Sequence, residues 1–316
     1  MLLDQDSRNQ LKNLFGSCVE FDEPMSRHTY FKVGGPAEAF IAPENIKQLA
    51  EIINWSGSKG IPYIVIGDGS NLLVKDNGIP GIVILLTKCL NGIVCSGKET
   101  EPVIVTAMAG VKIQTLCRFA IGEGLSGMNF ALGIPGTVGG AIMMNAGTSY
   151  GSVSDILDSV NVMISSGAML EITKDEMAFS YRKLSWNKNL TDRYEGEPII
   201  IDGCFRLCRS DPAMLKKEAE KILKRRRENH PAEMPSAGCF FKNPPAGKTA
   251  GQVIDMAGLK GTKIGGAEIS AKHANFIVNT GKASASDILE LMQLVQKKVF
   301  DKFNISLEPE AKIVGI

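Results

Sequence analysis

The run IVIGDGSNLLV at residues 64–74 most constrains this chain, because an apolar β-type stretch breaks directly into glycines and small polar residues. Gly67 and Gly69 carry no side chain, so an anion such as a diphosphate can approach the main chain closely. Ser70 and Asn71 add side-chain donors to the backbone N–H groups. The sequence therefore predicts an anion-binding loop, although a plain tight turn uses the same residue types.

A second glycine-rich segment, GIPGTVGGAIMMNAG at residues 133–147, favours the ligand-binding interpretation. Its five glycines are too many for an ordinary helix, and its other residues are too apolar for a solvated linker. Two such segments in one chain indicate a single extended ligand held by two backbone loops.

The two loops do not match the commoner nucleotide-binding motifs. In the fingerprint GxGxxG the third glycine would fall at Leu72, which excludes a dinucleotide site of the Rossmann type. The phosphate-loop pattern GxxxxGK[ST] fails because Lys242 stands where the glycine before Gly247-Lys248-Thr249 belongs. A dinucleotide held by two separate loops instead resembles the FAD-binding domains of the vanillyl-alcohol oxidase type.

Composition narrows the class of partner. The formal net charge of +1 provides no general field for nucleic acid or anionic membranes, so we expect small-molecule ligands. The seven cysteines are scattered without CxxC pairs, which indicates reduced thiols. No segment approaches the roughly 18 apolar residues that span a bilayer. We expect a cytoplasmic protein that is monomeric and contacts no membrane.

The histidines argue against a metal centre. The chain has three, at positions 28, 230 and 273, and they lack the helical spacing of metal ligands. Redox chemistry would therefore require an organic cofactor. Because neither glycine-rich loop contains histidine or cysteine, we expect any flavin to be bound non-covalently.

Hydrophobic patterning predicts an α+β fold. Helical spacing is found at residues 44–56, 211–229 and about 286–302, and β-type runs are found at 62–66, 82–86, 103–107, 160–164, 168–172, 199–207 and 275–279. We predict an FAD-binding domain at residues 1–207, divided into two α/β subdomains of about 1–85 and 86–207. A C-terminal α+β substrate domain would follow at residues 208–316.

Eight motifs in a fixed order make the resemblance to one family specific. They are VGGPAE (33–38), GDGSNLLV (67–74), GIPGTVGGAIMMNAG (133–147), FSYR (179–182), SAGCFFKNP (236–244), AGQVID (250–255), HANFIVN (273–279) and LEPEAKIVG (307–315). Together they extend nearly end to end and resemble the UDP-N-acetylenolpyruvoylglucosamine reductase family of peptidoglycan synthesis.

The resemblance implies a two-step reduction with FAD and NADPH. In that family NADPH reduces FAD, and the flavin passes a hydride to the enolpyruvyl ether of UDP-N-acetylglucosamine enolpyruvate, giving UDP-N-acetylmuramate. The resemblance places the cofactor at Gly67, Gly69, Ser70, Asn71, Leu72, Ile134, Pro135, Gly136, Thr137, Gly140, Asn145 and Gly147. Negative charge develops beside the substrate carboxylate, so the site needs a cationic clamp and a general acid.

Two charged residues match the family's catalytic motifs. Arg182 in FSYR matches the clamp arginine, because a guanidinium can bond both oxygens of a carboxylate; a surface arginine is the alternative. Glu310 in LEPEAKIVG matches the catalytic glutamate. Glu308 lies two residues away on the same face of an extended strand, so the residues alone do not choose between the two acids.

Cys239 stands where the family normally has a catalytic serine. A thiol has an ordinary pKa of roughly 8.5, so it can donate the proton that the serine hydroxyl would donate. The resemblance therefore assigns Cys239 the role of general acid. The alternative is a small buried apolar residue, since free cysteine is among the most buried residue types.

The resemblance places four further residues against the substrate: Tyr181, Arg226, Lys242 and Asn243. Some relatives bring a tyrosine over the diphosphate on a long loop, which this chain lacks, so Arg226 becomes a candidate phosphate contact. Its run KRRR at 224–227 could instead contact nucleic acid or form a solvated helix face. Asn243-Pro244 could also be a simple turn.

Two other functions fit parts of the sequence. One is a flavin-dependent lactone or alcohol oxidase, although such enzymes often attach the flavin through histidine. The other is a flavin-storage or nucleotide-binding module, which would have no use for Arg182, Cys239 and Glu310 together.

Overall fold

The computed structural model of the chain describes residues 2–97, 102–187, 197–231, 233–245 and 247–316. Every candidate site residue lies within these ranges. Helices and strands are mixed along the whole described chain, which confirms the predicted α+β class.

Eight α-helices occur within the described ranges. They are α1 (Gln5–Phe15), α2 (Ile46–Lys59), α3 (Ile113–Gly122), α4 (Val138–Met143), α5 (Val153–Ile156), α6 (Pro212–Asn229), α7 (Ala250–Met256) and α8 (Ala285–Phe303). Within the same ranges, no helix combines the length and apolar character that crossing a membrane requires.

Nineteen β-strands occur within the same described ranges. They are β1 (Val19–Pro24), β2 (Pro36–Ile41), β3 (Tyr63–Ile66), β4 (Leu72–Val74), β5 (Ile79–Leu85), β6 (Ile93–Ser96), β7 (Val103–Met108), β8 (Leu125–Ser126), β9 (Gly147–Thr148), β10 (Gly151–Ser152), β11 (Leu157–Met163), β12 (Met169–Thr173), β13 (Met177–Ser180), β14 (Lys183–Trp186), β15 (Ile199–Arg209), β16 (Lys263–Ile264), β17 (Ala267–Ile269), β18 (Ile277–Asn279) and β19 (Lys312–Val314).

The first sheet has the strand order β1-β2-β5-β3 and places the first glycine loop at the end of β3. Strand β5 runs parallel to both β2 and β3. The helix that feeds β3 is α2, which begins at the side-chain cap of Asn45 and ends at Gly60 with a φ of +64°. Its buried residues Leu49 and Ile53 pack in the same cluster as Ile82 of β5. The predicted helix and strand are confirmed here.

The second sheet is antiparallel, with the order β12-β11-β15-β7-β6 and β8 paired to the far end of β15. Helix α4 packs on β15, where a Cβ on Gly203 would lie 2.7 Å from Ile142. Helix α6 packs with these two sheets, because Ala219 and Ile222 are buried in the hydrophobic cluster that the sheets share. The boundary after residue 207 stays a prediction, and this packing favours one after α6.

The last third of the chain has its own hydrophobic cluster. Strands β16-β17-β18 form an antiparallel sheet, and α8 buries Ile288, Leu291 and Val295 against it. Phe31 and Leu73 from the first part of the chain pack in the same cluster. Strand β19 pairs in parallel with β4, directly after the first glycine loop. The C-terminal strand therefore brings residues near 310 to that loop.

Candidate active site

The two glycine-rich loops lie directly against each other. A Cβ on Gly67 would overlap the side chain of Thr137, and a Cβ on Gly136 would lie 2.6 Å from Oγ of Ser70. Gly69 has a φ of +64°, a conformation that favours glycine. Side chains at residues 67 and 136 would push the loops apart, so these two glycines allow one continuous backbone surface.

The first loop carries unpaired backbone donors. Among the described residues, no acceptor receives a hydrogen bond from the backbone N–H of Asp68, Gly69 or Ser70. Consecutive N–H groups without protein partners form a concave site for an anion. This surface fits the diphosphate of FAD, and its glycines leave room for close approach.

Asp68 joins the two loops through side chains that sequence reasoning missed. The Tyr30 hydroxyl donates to Asp68 at 2.7 Å, and burial together with that carboxylate raises the pKa of Tyr30 to about 12. Lys112 lies 3.6 Å from Asp68, and its backbone forms a β-bridge with Thr137 of the second loop. Lys112 therefore links the first loop to the second.

The second loop contains a short helix that the sequence did not predict. Glycine content argued against an ordinary helix in residues 133–147, yet the six-residue α4 begins after Thr137, whose hydroxyl accepts from the Gly140 N–H at 3.4 Å. A Cβ on Gly139 would lie 2.9 Å from Cβ of Ala109. The absence of a side chain at Gly139 allows α4 to pack closely on Ala109. This packing outweighs the poor helix propensity of glycine.

Arg182 lies in the turn between β13 and β14, and its side chain is held on two sides. Its Nε donates to Oε1 of Glu310 at 2.8 Å, and one terminal nitrogen donates to the carbonyl of Gly147 at 3.1 Å. The turn has a φ of +59° at Arg182, which costs on the order of 1 kcal/mol for a residue other than glycine. Among the described residues Nη1 has no acceptor, so that edge is available to a ligand.

The structure separates the two acids that the sequence left open. Glu310 is largely buried and pairs with Arg182, whereas the side chain of Glu308 is 70% exposed and pairs with Lys242 at 2.5 Å. Burial raises the pKa of Glu310, and Arg182 opposes the rise. Asn71 donates its side-chain amide to the Glu310 carbonyl at 3.1 Å. Glu310 therefore contacts both the first loop and the arginine.

Cys239 shares an electrostatic environment with the predicted catalytic pair. Burial raises the pKa of the thiol to about 11, and the Glu310 carboxylate adds to the rise. Arg182 and Arg226 oppose it. The thiol is therefore protonated at neutral pH in the free protein. The structure brings Arg182, Cys239, Glu310 and Arg226 together from four separate segments.

The segment that carries Cys239 is held by Asn275 of the HANFIVN motif. The backbone N–H of Phe240 donates to the Asn275 carbonyl at 2.7 Å. The Asn275 side chain accepts from the N–H of Phe241 at 2.9 Å and donates to the Phe241 carbonyl at 2.8 Å. On the other side, the N–H of Glu310 donates to the Phe240 carbonyl at 2.7 Å. Cys239 is thus fixed beside Glu310 by backbone pairing.

A basic pocket of about 410 Å³ opens beside Arg226. Its polar lining includes Tyr150, Arg225, Arg226, His230, Lys272 and His273. Burial, and after it the charge of Arg226, lowers the pKa of His230 to about 4, so this histidine is neutral at pH 7. Only Arg226 of this set was predicted as a ligand. The KRRR run carried the signal for Arg225 and the KHANF string that for Lys272 and His273, whereas Tyr150 and His230 lie in neither.

The side chains of Tyr181, Asn243 and Asn145, which the sequence also predicted as site residues, make hydrogen bonds within the protein. The Tyr181 ring lies 4.9 Å from the Arg182 guanidinium, and its hydroxyl accepts from the Asn243 N–H at 3.4 Å. The Asn243 side chain accepts from the N–H of Ala250, the first residue of α7. Both polar groups of Asn145 bond to the protein, at the Ser154 N–H and the Ser180 carbonyl.

Other predicted cofactor contacts have a place on the two loops. Leu72 begins β4, Ile134 and Pro135 lie between Gly133 and Gly136, and Gly147 begins β9.

Within the described ranges, no group of three or more histidine, cysteine, aspartate or glutamate side chains could hold a metal ion.

Two family models match the chain in separate segments. One, described as an FAD binding domain, matches residues 37–173 and includes both glycine-rich loops. The other, described as the C-terminal domain of UDP-N-acetylenolpyruvoylglucosamine reductase, matches residues 230–314 and includes Cys239 and Glu310. The predicted order of an FAD-binding domain followed by a C-terminal domain of this reductase type is confirmed.

Full-length relatives agree with the family models. The chain is 45% identical over 313 residues to a UDP-N-acetylenolpyruvoylglucosamine reductase of Desulfosudis oleivorans, covering 99% of this chain and 100% of the relative. It is 40% identical to the reductase of Clostridium novyi, covering 92% and 90% of the two chains. The crystal structure of the Thermus caldophilus reductase superposes with a TM-score of 0.77 at 34% identity, covering 94% and 99% of the two chains. The chain therefore belongs to the UDP-N-acetylenolpyruvoylglucosamine reductase family of oxidoreductases.

Proposed function

We propose that this chain uses NADPH and non-covalent FAD to reduce UDP-N-acetylglucosamine enolpyruvate to UDP-N-acetylmuramate. The observation that carries this proposal is the convergence of Arg182, Cys239 and Glu310 beside the two glycine loops. The three residues come from separate segments of the chain, and Arg182 and Glu310 lie 128 positions apart. A module that only stores flavin gains nothing from such an arrangement.

The two loops would hold the cofactor through their backbone. The unpaired N–H groups of Asp68, Gly69 and Ser70 suit the diphosphate, and Gly136 and Thr137 complete the facing wall. FAD, once reduced by NADPH, supplies the hydride for the substrate double bond. The Asn145 amide already bonds to the protein at both ends, so its contribution to cofactor binding would be indirect.

Arg182 would bind the carboxylate of the enolpyruvyl group. When the terminal carbon of the double bond receives a hydride, the electron pair moves toward the carboxylate and forms an enolate. A guanidinium fixed by Glu310 and Gly147 presents its remaining N–H groups to that charge without reorganising. Glu310 would hold Arg182 in place beside the developing charge.

Cys239 would protonate the carbon next to the carboxylate, in place of the serine that the family normally has. The raised pKa keeps the thiol protonated at neutral pH, which a general acid requires. After the transfer, the S–H bond is broken, the new C–H bond is formed, and solvent returns a proton to the thiolate. The alternative, an inert apolar residue, does not explain the position between Glu310 and two arginines.

The basic pocket would bind the substrate diphosphate. Arg225, Arg226 and Lys272 supply positive charge there, and Arg226 lies between this pocket and Cys239. This assignment fits a family branch that lacks the tyrosine-bearing loop. Tyr181, Lys242 and Asn243 would line the path between the diphosphate and the reacting carbons.

The deciding experiment compares Cys239→Ala with Cys239→Ser. We expect the alanine variant to bind FAD and to be reduced by NADPH at the wild-type rate, but to lose turnover by about 10² to 10⁴-fold because the proton donor is gone. The serine variant restores the hydroxyl of the relatives and should retain activity. Stopped-flow absorbance separates flavin reduction from its reoxidation by the enolpyruvyl substrate. Full turnover by the alanine variant contradicts the general-acid assignment.

One assay separates the proposal from the two alternatives. A reductase consumes NADPH faster when the enolpyruvyl sugar is added, whereas a storage module does not. An oxidase would instead couple rapid reoxidation by oxygen to turnover of an alcohol. The domain boundary, the cytoplasmic location and the monomeric state stay predictions, as does NADPH as the preferred donor.

A further inference from the structure

Gln114 is the second residue of α3. Both polar atoms of its side chain bond to the backbone of residues 131–134, where the second glycine loop begins. Its Nε2 donates to the Ala131 carbonyl at 2.8 Å and to the Ile134 carbonyl at 2.7 Å. Its Oε1 accepts from the Gly133 N–H at 2.9 Å. Three hydrogen bonds from one half-buried side chain therefore hold three residues, Ala131, Gly133 and Ile134, where the second glycine loop begins.

The loop shape held by Gln114 is needed on two sides. Gly133 has a φ of +75°, and the Arg226 side chain occupies the space of a Cβ there, with Nε 2.7 Å from that point. On the other side, the same stretch continues into Gly136, which contacts Ser70 of the first loop. Residues 131–137 thus connect the proposed cofactor surface to the basic pocket.

We propose that Gln114 is a positioning residue that sets both FAD affinity and the place of Arg226. The inference rests on the proposed function, because it takes the two loops as the FAD site. A carboxamide of this length supplies two N–H donors and one acceptor, which matches two carbonyls and one N–H of the loop. Glutamate would place an oxygen against both carbonyls. Methionine would remove all three hydrogen bonds and leave the Gly133 N–H and the Ile134 carbonyl without a partner among the described residues, whereas the Ala131 carbonyl keeps its bond from the Ile134 N–H.

The test uses Gln114→Glu, Gln114→Met and a matched control, Gln296→Met. Gln296 is a half-buried glutamine of α8 whose Nε2 donates to the Leu307 carbonyl at 2.8 Å, so its loss removes a comparable bond outside the loops. Flavin-free proteins are titrated with FAD by fluorescence quenching. Hydrogen exchange of residues 131–137 is measured without FAD, and KM for the enolpyruvyl substrate is measured with it.

We expect both Gln114 variants to weaken FAD binding by about tenfold or more, glutamate more than methionine. Exchange at residues 131–137 should rise in both, and the substrate KM should rise with it because Arg226 loses its support. Gln296→Met should keep FAD affinity and loop exchange within twofold of the wild type, whatever its melting temperature.

Two results would overturn the Gln114 assignment. One is wild-type FAD affinity and loop exchange in both Gln114 variants. The other is a loss of affinity that only follows the fall in melting temperature and occurs equally in Gln296→Met. A wild-type protein that binds no FAD would instead overturn the proposed function, while the exchange measurement would still report whether Gln114 holds the loop.

Discussion

The two cationic regions of the molecule differ in how their charges are balanced. Arg182 forms an ion pair with Glu310 at 2.8 Å beside Cys239. Arg225, Arg226 and Lys272 in the basic pocket form no ion pair with any carboxylate in the described part of the chain. An ion pair holds the arginine side chain in one position for the reaction, whereas positive charges without a carboxylate partner attract an anionic ligand. The first region should therefore govern kcat and the second KM.

The largest expected effect comes from replacing Glu310, and Glu308 serves as the matched control. We expect Glu310→Gln to lower kcat by about 10² to 10³-fold, because it removes the carboxylate that fixes Arg182 and faces the thiol. Glu308 lies two residues before Glu310, and its side chain is 70% exposed and pairs with Lys242, so Glu308→Gln should change kcat by less than about threefold. Steady-state kinetics with both variants measure the contrast, and equal losses would remove the distinction between the two acids.

A second test addresses the unbalanced charges. We expect Arg226→Ala to raise KM for the enolpyruvyl substrate by about 10 to 100-fold with a smaller change in kcat, because a charged hydrogen-bond donor to the diphosphate is lost. Arg227→Ala removes the neighbouring exposed arginine, which does not line the pocket, and should leave KM near the wild-type value. Added salt should raise KM less in Arg226→Ala than in the wild type. A loss confined to kcat would contradict the division of roles.

Local sequence patterns predicted the helices and strands that are stabilised mainly by interactions between neighbouring residues. Helix α2 has its side-chain cap, its apolar spacing and its terminal glycine within one short stretch, so its position could be predicted. Helix α4 could not, because its two glycines are tolerated only where Gly139 packs against Ala109, thirty positions earlier. Propensity describes the isolated segment, and tertiary packing decided the outcome there.

The site shows the same limit. Motif resemblance selected Arg182, Cys239 and Glu310, but the residues alone gave no reason to prefer Glu310 over Glu308. The choice depends on the pairing of β19 with β4, which joins segments about 240 positions apart. The basic pocket was largely missed for a similar reason, since α6 and the turn at Lys272 meet only in the folded chain.

The smallest expected effect concerns the alkylation rate of Cys239, which depends on the charges of both regions. Its raised pKa of about 11 means that alkylation of Cys239 by neutral iodoacetamide should be slow at pH 7 and rise about tenfold per pH unit toward pH 11. Glu310→Gln removes a negative neighbour, which favours the thiolate, lowers this pKa and should speed alkylation by about threefold to tenfold. Arg226→Ala removes a positive neighbour and should slow it.

Site-resolved mass spectrometry measures these rates, with exposed Cys208 as the internal standard. The Cys208 rate should be the same in the wild type and both variants, because the substitutions lie in the reaction site and the basic pocket. Opposite shifts at Cys239 would show that the balanced and unbalanced regions act on one thiol with opposite signs. Shifts in the same direction would mean that altered access, and not charge, controls its reactivity.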